Sequence, residues 1–98
     1  MKILLVCAGG FSTSILMKKV RKWAEANGQD VTIDAMGKEA YENVWQNYDC
    51  ILIGPQISYT IDNIKESVSI PVAAINSMDY AVGNVDNIMK LAHTITGK

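Results

Sequence analysis

Residues 1–19 read MKILLVCAGGFSTSILMKK, and this opening decides the architecture. Ile3, Leu4, Leu5 and Val6 are apolar at every position rather than at alternate ones, the pattern of a strand covered on both faces, as in a parallel sheet. Cys7 ends the run and two glycines follow. Ile15, Leu16, Val20, Trp23 and Ala24 then recur at helical spacing, while Lys18, Lys19, Arg21, Lys22 and Glu25 occupy the other side. Asn27-Gly28 supplies the helix stop.

The same alternation continues along the chain. Val31 to Met36 sets Val31, Ile33 and Ala35 against Thr32 and Asp34, which predicts a second strand with one wetter side, at an edge. Ala40, Tyr41, Val44 and Trp45 predict a helix within residues 38–46, before a third buried strand at Cys50-Ile51-Leu52-Ile53. That strand ends at Gly54-Pro55. Ser58 or Tyr59 through Ser67 predicts a short helix burying Ile61 and Ile64, and residues 70–75 a fourth strand. Pro71 lacks a ladder donor and belongs at the start or edge of that strand. Val85, Ile88, Met89, Ala92 and Ile95 form the stripe of a final helix. Four strand-helix units wound by right-handed crossovers give an α/β fold, a single open four-stranded parallel sheet with helices on both faces. Sites in such folds lie beyond the carboxyl ends of the strands. Cys7, Gly54-Pro55-Gln56 and Asn76-Ser77-Met78-Asp79 all fall there.

A chain of 98 residues, 49% apolar and 19% charged, fits one domain spanning 1–98. Its net charge of -1 provides no field for nucleic acid. Lys18, Lys19, Arg21 and Lys22 cluster locally, which reads first as a solvated helix face and second as a docking patch. The first apolar run breaks at Cys7 and Gly9 with no cleavage region after it, and the apolar stretches fall short of the ~20 residues that cross a bilayer. A cytoplasmic protein with free thiols and no direct membrane insertion is expected. No nucleoside-triphosphate loop and no dinucleotide fingerprint is present. One histidine, His93, and two distant cysteines cannot make a structural zinc site, so neither metal nor cofactor is expected.

The loop after the first strand carries the chemistry. Backbone N–H groups from Ala8 to Ser14 can converge there, the glycines permit close approach, and the helix N-terminus adds about half a positive charge. This is an anion cradle. The partial charges that hold phosphate also favour thiolate, which makes Cys7 a candidate nucleophile toward phosphorus. The bland reading is a small buried cysteine followed by a helix cap; the paired glycines and three consecutive hydroxyls weigh for function. Cys50 begins its strand whereas Cys7 ends another, so the two stand roughly 10 Å or more apart in parallel strands, beyond disulfide reach. Cys50 is expected in the core.

The string Cys7-Ala8-Gly9-Gly10-Phe11-Ser12-Thr13-Ser14 resembles the phosphorylation loop of IIB components of the lactose/cellobiose (also chitobiose) class of the bacterial phosphoenolpyruvate-dependent sugar phosphotransferase system. The likeness runs through Leu52 to Tyr59, similar to the family's Gly-Pro-Gln-Ile segment, and through Ile75 to Tyr80. It implies strand order 2-1-3-4. It implies also that Cys7 accepts phosphoryl from a phosphohistidine of a IIA protein and passes it to a sugar held by the membrane IIC permease. The phosphate-binding residues would be Ala8, Gly9, Gly10, Phe11, Ser12, Thr13 and Ser14, with Gln56 and Tyr59 at the rim or partner surface. Phe11 stands where the family more often has Met, and residues 80–87 depart from its usual spacing, so Tyr80 and Asp86 receive no role.

Two other functions compete. A low-molecular-weight cysteine phosphatase also places a thiolate after its first strand, but needs an arginine clamp where this chain has Thr13. A regulatory binding module without thiol chemistry is the other, since small doubly wound domains host many functions.

Overall fold

The unbroken apolar run becomes β1 (Lys2–Cys7), and alternation along it feeds two separate cores. In this computed structural model residues 1–7, 11–37 and 40–97 are described, those at 11–13 by backbone alone. Ile3 and Leu5 enter one cluster, with Leu16 and Val20 of α1 (Phe11–Ala26) and Ile88, Met89 and Ala92 of α4 (Val85–Thr96). Leu4 and Val6 enter the other, with Tyr41, Ile57 and Ile64. Successive strand residues point to opposite faces, so a strand buried on both has no polar position to spare.

The sheet is four-stranded and parallel, in the order β2-β1-β3-β4, with β2 at Thr32–Gly37, β3 at Cys50–Ile53 and β4 at Val72–Ala74. The expected α/β fold, strand order and cover of both faces are all observed. β2 lies at an edge as its alternation predicted. β4 is the opposite edge and shorter than the expected strand, though its ladder bonds extend outward: Ile51 donates to the carbonyl of Pro71 and Ile75 to that of Ile53, both at 2.9 Å. Pro71 thus sits where only its carbonyl is asked for.

Three expectations change. Residues 41–47 form two 3-10 turns, Tyr41–Asn43 and Trp45–Asn47, instead of one helix. Apolar spacing of three suits both helix types, and Val44 between the turns has φ −131°, outside the helical range. The helix after β3 is preceded by a 3-10 segment, Pro55–Thr60, whose Ile57 is buried, before α2 (Ile61–Ser67) buries Ile64. An additional helix, α3 (Ser77–Val82), follows β4. Its signals were local: the Asn76 side-chain Oδ1 accepts from the N–H groups of Met78 and Asp79, and Gly83 closes it with φ +65°. Asn84 caps α4 in turn by accepting from the Asn87 N–H.

Cys50 is fully buried, as expected, beside Ile3 in the register of β1 and β3. Cys7 lies four residues further along β1, about 13 Å away, and the two cysteines form no disulfide. Of the basic cluster on α1, Arg21 donates to the Ile33 carbonyl and Lys19 to that of Val82, while Lys18 and Lys22 face solvent. Among the described residues no helix is long and apolar enough to cross a membrane.

Candidate active site

Cys7 is the last residue of β1, buried at 3% exposure, and by alternation it shares the sheet face of Ile3 and Leu5 on which α1 packs. Its sequence-assigned neighbours Ala8, Gly9 and Gly10 lie outside the described residues. The backbone is helical from Phe11, so the N-terminus of α1 begins four positions after the thiol. Ser14 is exposed in the first turn. Ser12 and Thr13 belong to that same turn by their backbone.

The other wall comes from β3. Val6 pairs with Ile53, which sets Gly54 directly beside Cys7, and the Gly54 N–H donates to the Val6 carbonyl at 2.9 Å. Gly54 has ordinary extended angles, φ −62° and ψ 145°, so its role is spatial rather than conformational. A Cβ there would lie 3.2 Å from the Cys7 Cβ and 3.0 Å from the Gln56 Oε1. The glycine therefore leaves room for thiol and amide to approach one another.

The backbone on either side of Gln56 is held firmly. Pro55 precedes it, the Ile57 N–H donates to the Gly54 carbonyl at 3.1 Å, Ile57 is buried, and the Thr60 hydroxyl donates to the Ile57 carbonyl at 2.7 Å. Its side chain lines an open cleft of about 480 Å³ with Pro55, Ser77, Tyr80 and Ala81. Tyr59 lies elsewhere: it is 73% exposed on the same 3-10 segment and is not among the residues lining this cleft.

Tyr80, to which the sequence assigned no role, is placed at the junction of that cleft with a smaller hollow of about 140 Å³ lined by Ile15, Lys19, Val82 and Gly83 among others. The signal that would have found it is the pair of asparagine caps bracketing α3. Around this hollow the apolar side chains of Ile15 and Val82 are 59% and 60% exposed, and Met78 on α3 is 68% exposed. Together these features put the thiol beside Gly54 and near the Gln56 amide, four positions before a helix N-terminus, with exposed apolar side chains around the neighbouring hollow. No group of three or more metal-ligating side chains exists among the described residues. His93, in α4, is paired with Gln29, its Nε2 lying 3.2 Å from Oε1.

Comparison with known proteins shows what the chain as a whole is similar to. The family model for the lactose/cellobiose-specific IIB subunit of the phosphotransferase system matches residues 2–91. The oligo-beta-mannoside-specific EIIB component of Bacillus subtilis (strain 168) is 33% identical over 85% of this chain and 84% of its own length. A lactose-specific EIICB component of Staphylococcus haemolyticus is 27% identical over 80% of this chain, which corresponds to only 14% of that longer protein. Among solved structures, the cellobiose-specific IIB component of Borrelia burgdorferi superposes with a TM-score of 0.83 at 31% identity, covering 99% of this chain and 92% of the other.

Proposed function

The chain belongs to the lactose/cellobiose-specific IIB family of the sugar phosphotransferase system, and from that premise we propose that it is a cytoplasmic phosphoryl carrier with Cys7 as the carrier residue. IIB components are phosphotransferase domains of sugar uptake systems, and residues 1–98 act here as one such domain. The observation that carries the reading is the position of Cys7 at the carboxyl end of β1, between the approach to the α1 N-terminus and Gly54.

In the first step the Cys7 thiolate attacks the phosphorus of a phosphohistidine on the IIA partner. The S–P bond forms as the N–P bond breaks, and the electron pair stays on the imidazole nitrogen, which takes up a proton. In the second step a hydroxyl oxygen of the sugar held by IIC attacks the same phosphorus, the S–P bond breaks, the hydroxyl proton leaves to a base or solvent, and the thiolate is restored. N–H groups from Ala8 to Ser14, the hydroxyls of Ser12, Thr13 and Ser14, and the dipole of α1 meet the phosphoryl charge. Little covalent chemistry is asked of the protein beyond the thiol, so positioning and electrostatics supply the rate.

Fusion of a IIB-like segment into the EIICB component of a relative supports IIC as acceptor-bearing partner. Relatives are named for oligo-beta-mannosides, cellobiose and lactose, and one for galactose; the first three support a β-linked disaccharide or short oligosaccharide as the final acceptor. Gln56 borders the cleft from which a partner would approach, whereas Tyr59 lies outside that cleft as an exposed side chain on the same 3-10 segment.

The test is intact-protein mass after incubation with phosphoenolpyruvate, the general carrier proteins of the system and a IIA protein, with Cys7→Ser alongside. One phosphoryl group on the wild type and none on the variant is expected. An equally phosphorylated variant would refute Cys7 as the carrier residue.

A further inference from the structure

Phosphate loops that follow a first strand meet their anion from one side, the side of the helix. Beside Cys7 in the sheet runs β3, and the segment that follows it brings an amide near the thiol. The Gln56 Oε1 and the Cys7 Cβ both come within 3.2 Å of the single point that a Gly54 Cβ would fill. The backbone of the amide is fixed before and after, by Gly54-Pro55 and by buried Ile57. Its side chain also borders the open 480 Å³ cleft.

Resting on the phosphocysteine reading above, we propose that the Gln56 side-chain amide is a hydrogen-bond donor to the phosphoryl group on Cys7, closing the site from the β3 side. A half-turn about its last torsion exchanges Oε1 for Nε2, which offers two N–H donors at the same place. Amide chemistry suits a carrier. It donates to an anion without bringing a charge, so it neither repels the incoming phosphoryl group as a carboxylate would nor holds it as tightly as an arginine fork. Gly54 is the enabling residue: any side chain there would separate the amide from the thiol.

The experiment compares wild type with Gln56→Met, which keeps the length and loses the donor, and with Gln56→Glu, which replaces the donor by a negative charge. Gln56 is exposed, so both variants are expected to melt with the wild type. Single-turnover transfer from a phosphorylated IIA of the lactose/cellobiose class gives a maximal rate and a half-saturating concentration. Iodoacetamide alkylation of Cys7 at one fixed pH, without any partner, reports on the thiol itself. Gln56→Met should lower the maximal transfer rate about 10- to 100-fold, the worth of one hydrogen bond to a charged group. Gln56→Glu should lower it further and also slow alkylation. Maximal rates equal to wild type in both variants overturn the proposal, and so does a change confined to the half-saturating concentration, which would make Gln56 a docking residue and leave the carrier reading standing. A wild type left without phosphoryl by a demonstrably phosphorylated IIA would overturn both readings together.

Discussion

Gly54→Ala probes the tightest point of the site with a single methyl group. The backbone angles at residue 54 suit alanine, so the unfolded chain loses freedom and the variant gains about 0.4 to 1 kcal/mol on that account. Against this stands the new contact. The added carbon would meet the Gln56 Oε1 at 3.0 Å and the Cys7 Cβ at 3.2 Å, with the Cys7 Cα at 3.7 Å behind it. Gln56 is a flexible, exposed side chain and can swing away. Cys7 cannot, because its Cβ is anchored to a strand paired on both sides, with β2 and with β3. Overpacking of this kind costs roughly 1 to 3 kcal/mol. The net expectation is a loss of about 1 kcal/mol, which lowers the melting temperature of a domain this size by roughly 4 to 8 °C. Transfer should suffer more than stability, since displacing a reacting atom by about 1 Å can cost on the order of 100-fold in rate. Thermal unfolding followed by circular dichroism, with phosphocysteine formation measured well below the transition, separates the two effects. A variant that melts at or above the wild type and accepts phosphoryl at the wild-type rate would show that the approach of β3 to Cys7 constrains nothing.

Cys50→Ala should leave transfer intact and cost about 1 to 2 kcal/mol, because its fully buried sulfur fills the core beside Ile3; denaturant titration measures the loss, and abolished phosphorylation in this variant would mean that the wrong cysteine was chosen. Asn76→Ala removes the side chain that accepts from Met78 and Asp79 at the start of α3 and should cost about 1 kcal/mol, seen as lowered amide-exchange protection in α3 ahead of the sheet. Tyr48 gives a pH signature. Burial first, then the hydrogen bond and negative charge of Asp34, raise its hydroxyl above the ordinary 10.0. The folded state therefore holds the proton more tightly, so this contribution to stability is full below pH 10 and is lost as pH rises through the folded value. Denaturant midpoints of wild type and Tyr48→Phe should differ most below pH 10 and converge above it; parallel profiles would remove Tyr48 from the account.

The site was legible in the sequence to the extent that it is local. A cysteine at the end of an apolar run, two glycines and three hydroxyls are all contained in one strand-to-helix connection. The second wall is not local. Gln56 comes near Cys7 only because β1 and β3 are neighbours in a particular register, Val6 against Ile53. Misreading residues 38–46 as a helix has a similar origin. Tyr41 and Val44, or Trp45 and Tyr48, are spaced by three, which serves 3-10 turns as well as an α-helix, and only their packing under the sheet separates the two.

By itself the sequence determined the class of fold and the placement of the thiol. Unbroken apolarity in β1 and β3 demands cover on both faces, and a strand buried in that way has one stable setting, a parallel sheet between helical layers. What tertiary structure alone decided is the neighbourhood of the thiol: Gly54 pressed against it, the Gln56 amide above it, and Tyr80 on a capped short helix across the cleft. The physical reason is that periodicity encodes which face of an element is buried, whereas register and strand adjacency arise from packing between segments far apart in the chain.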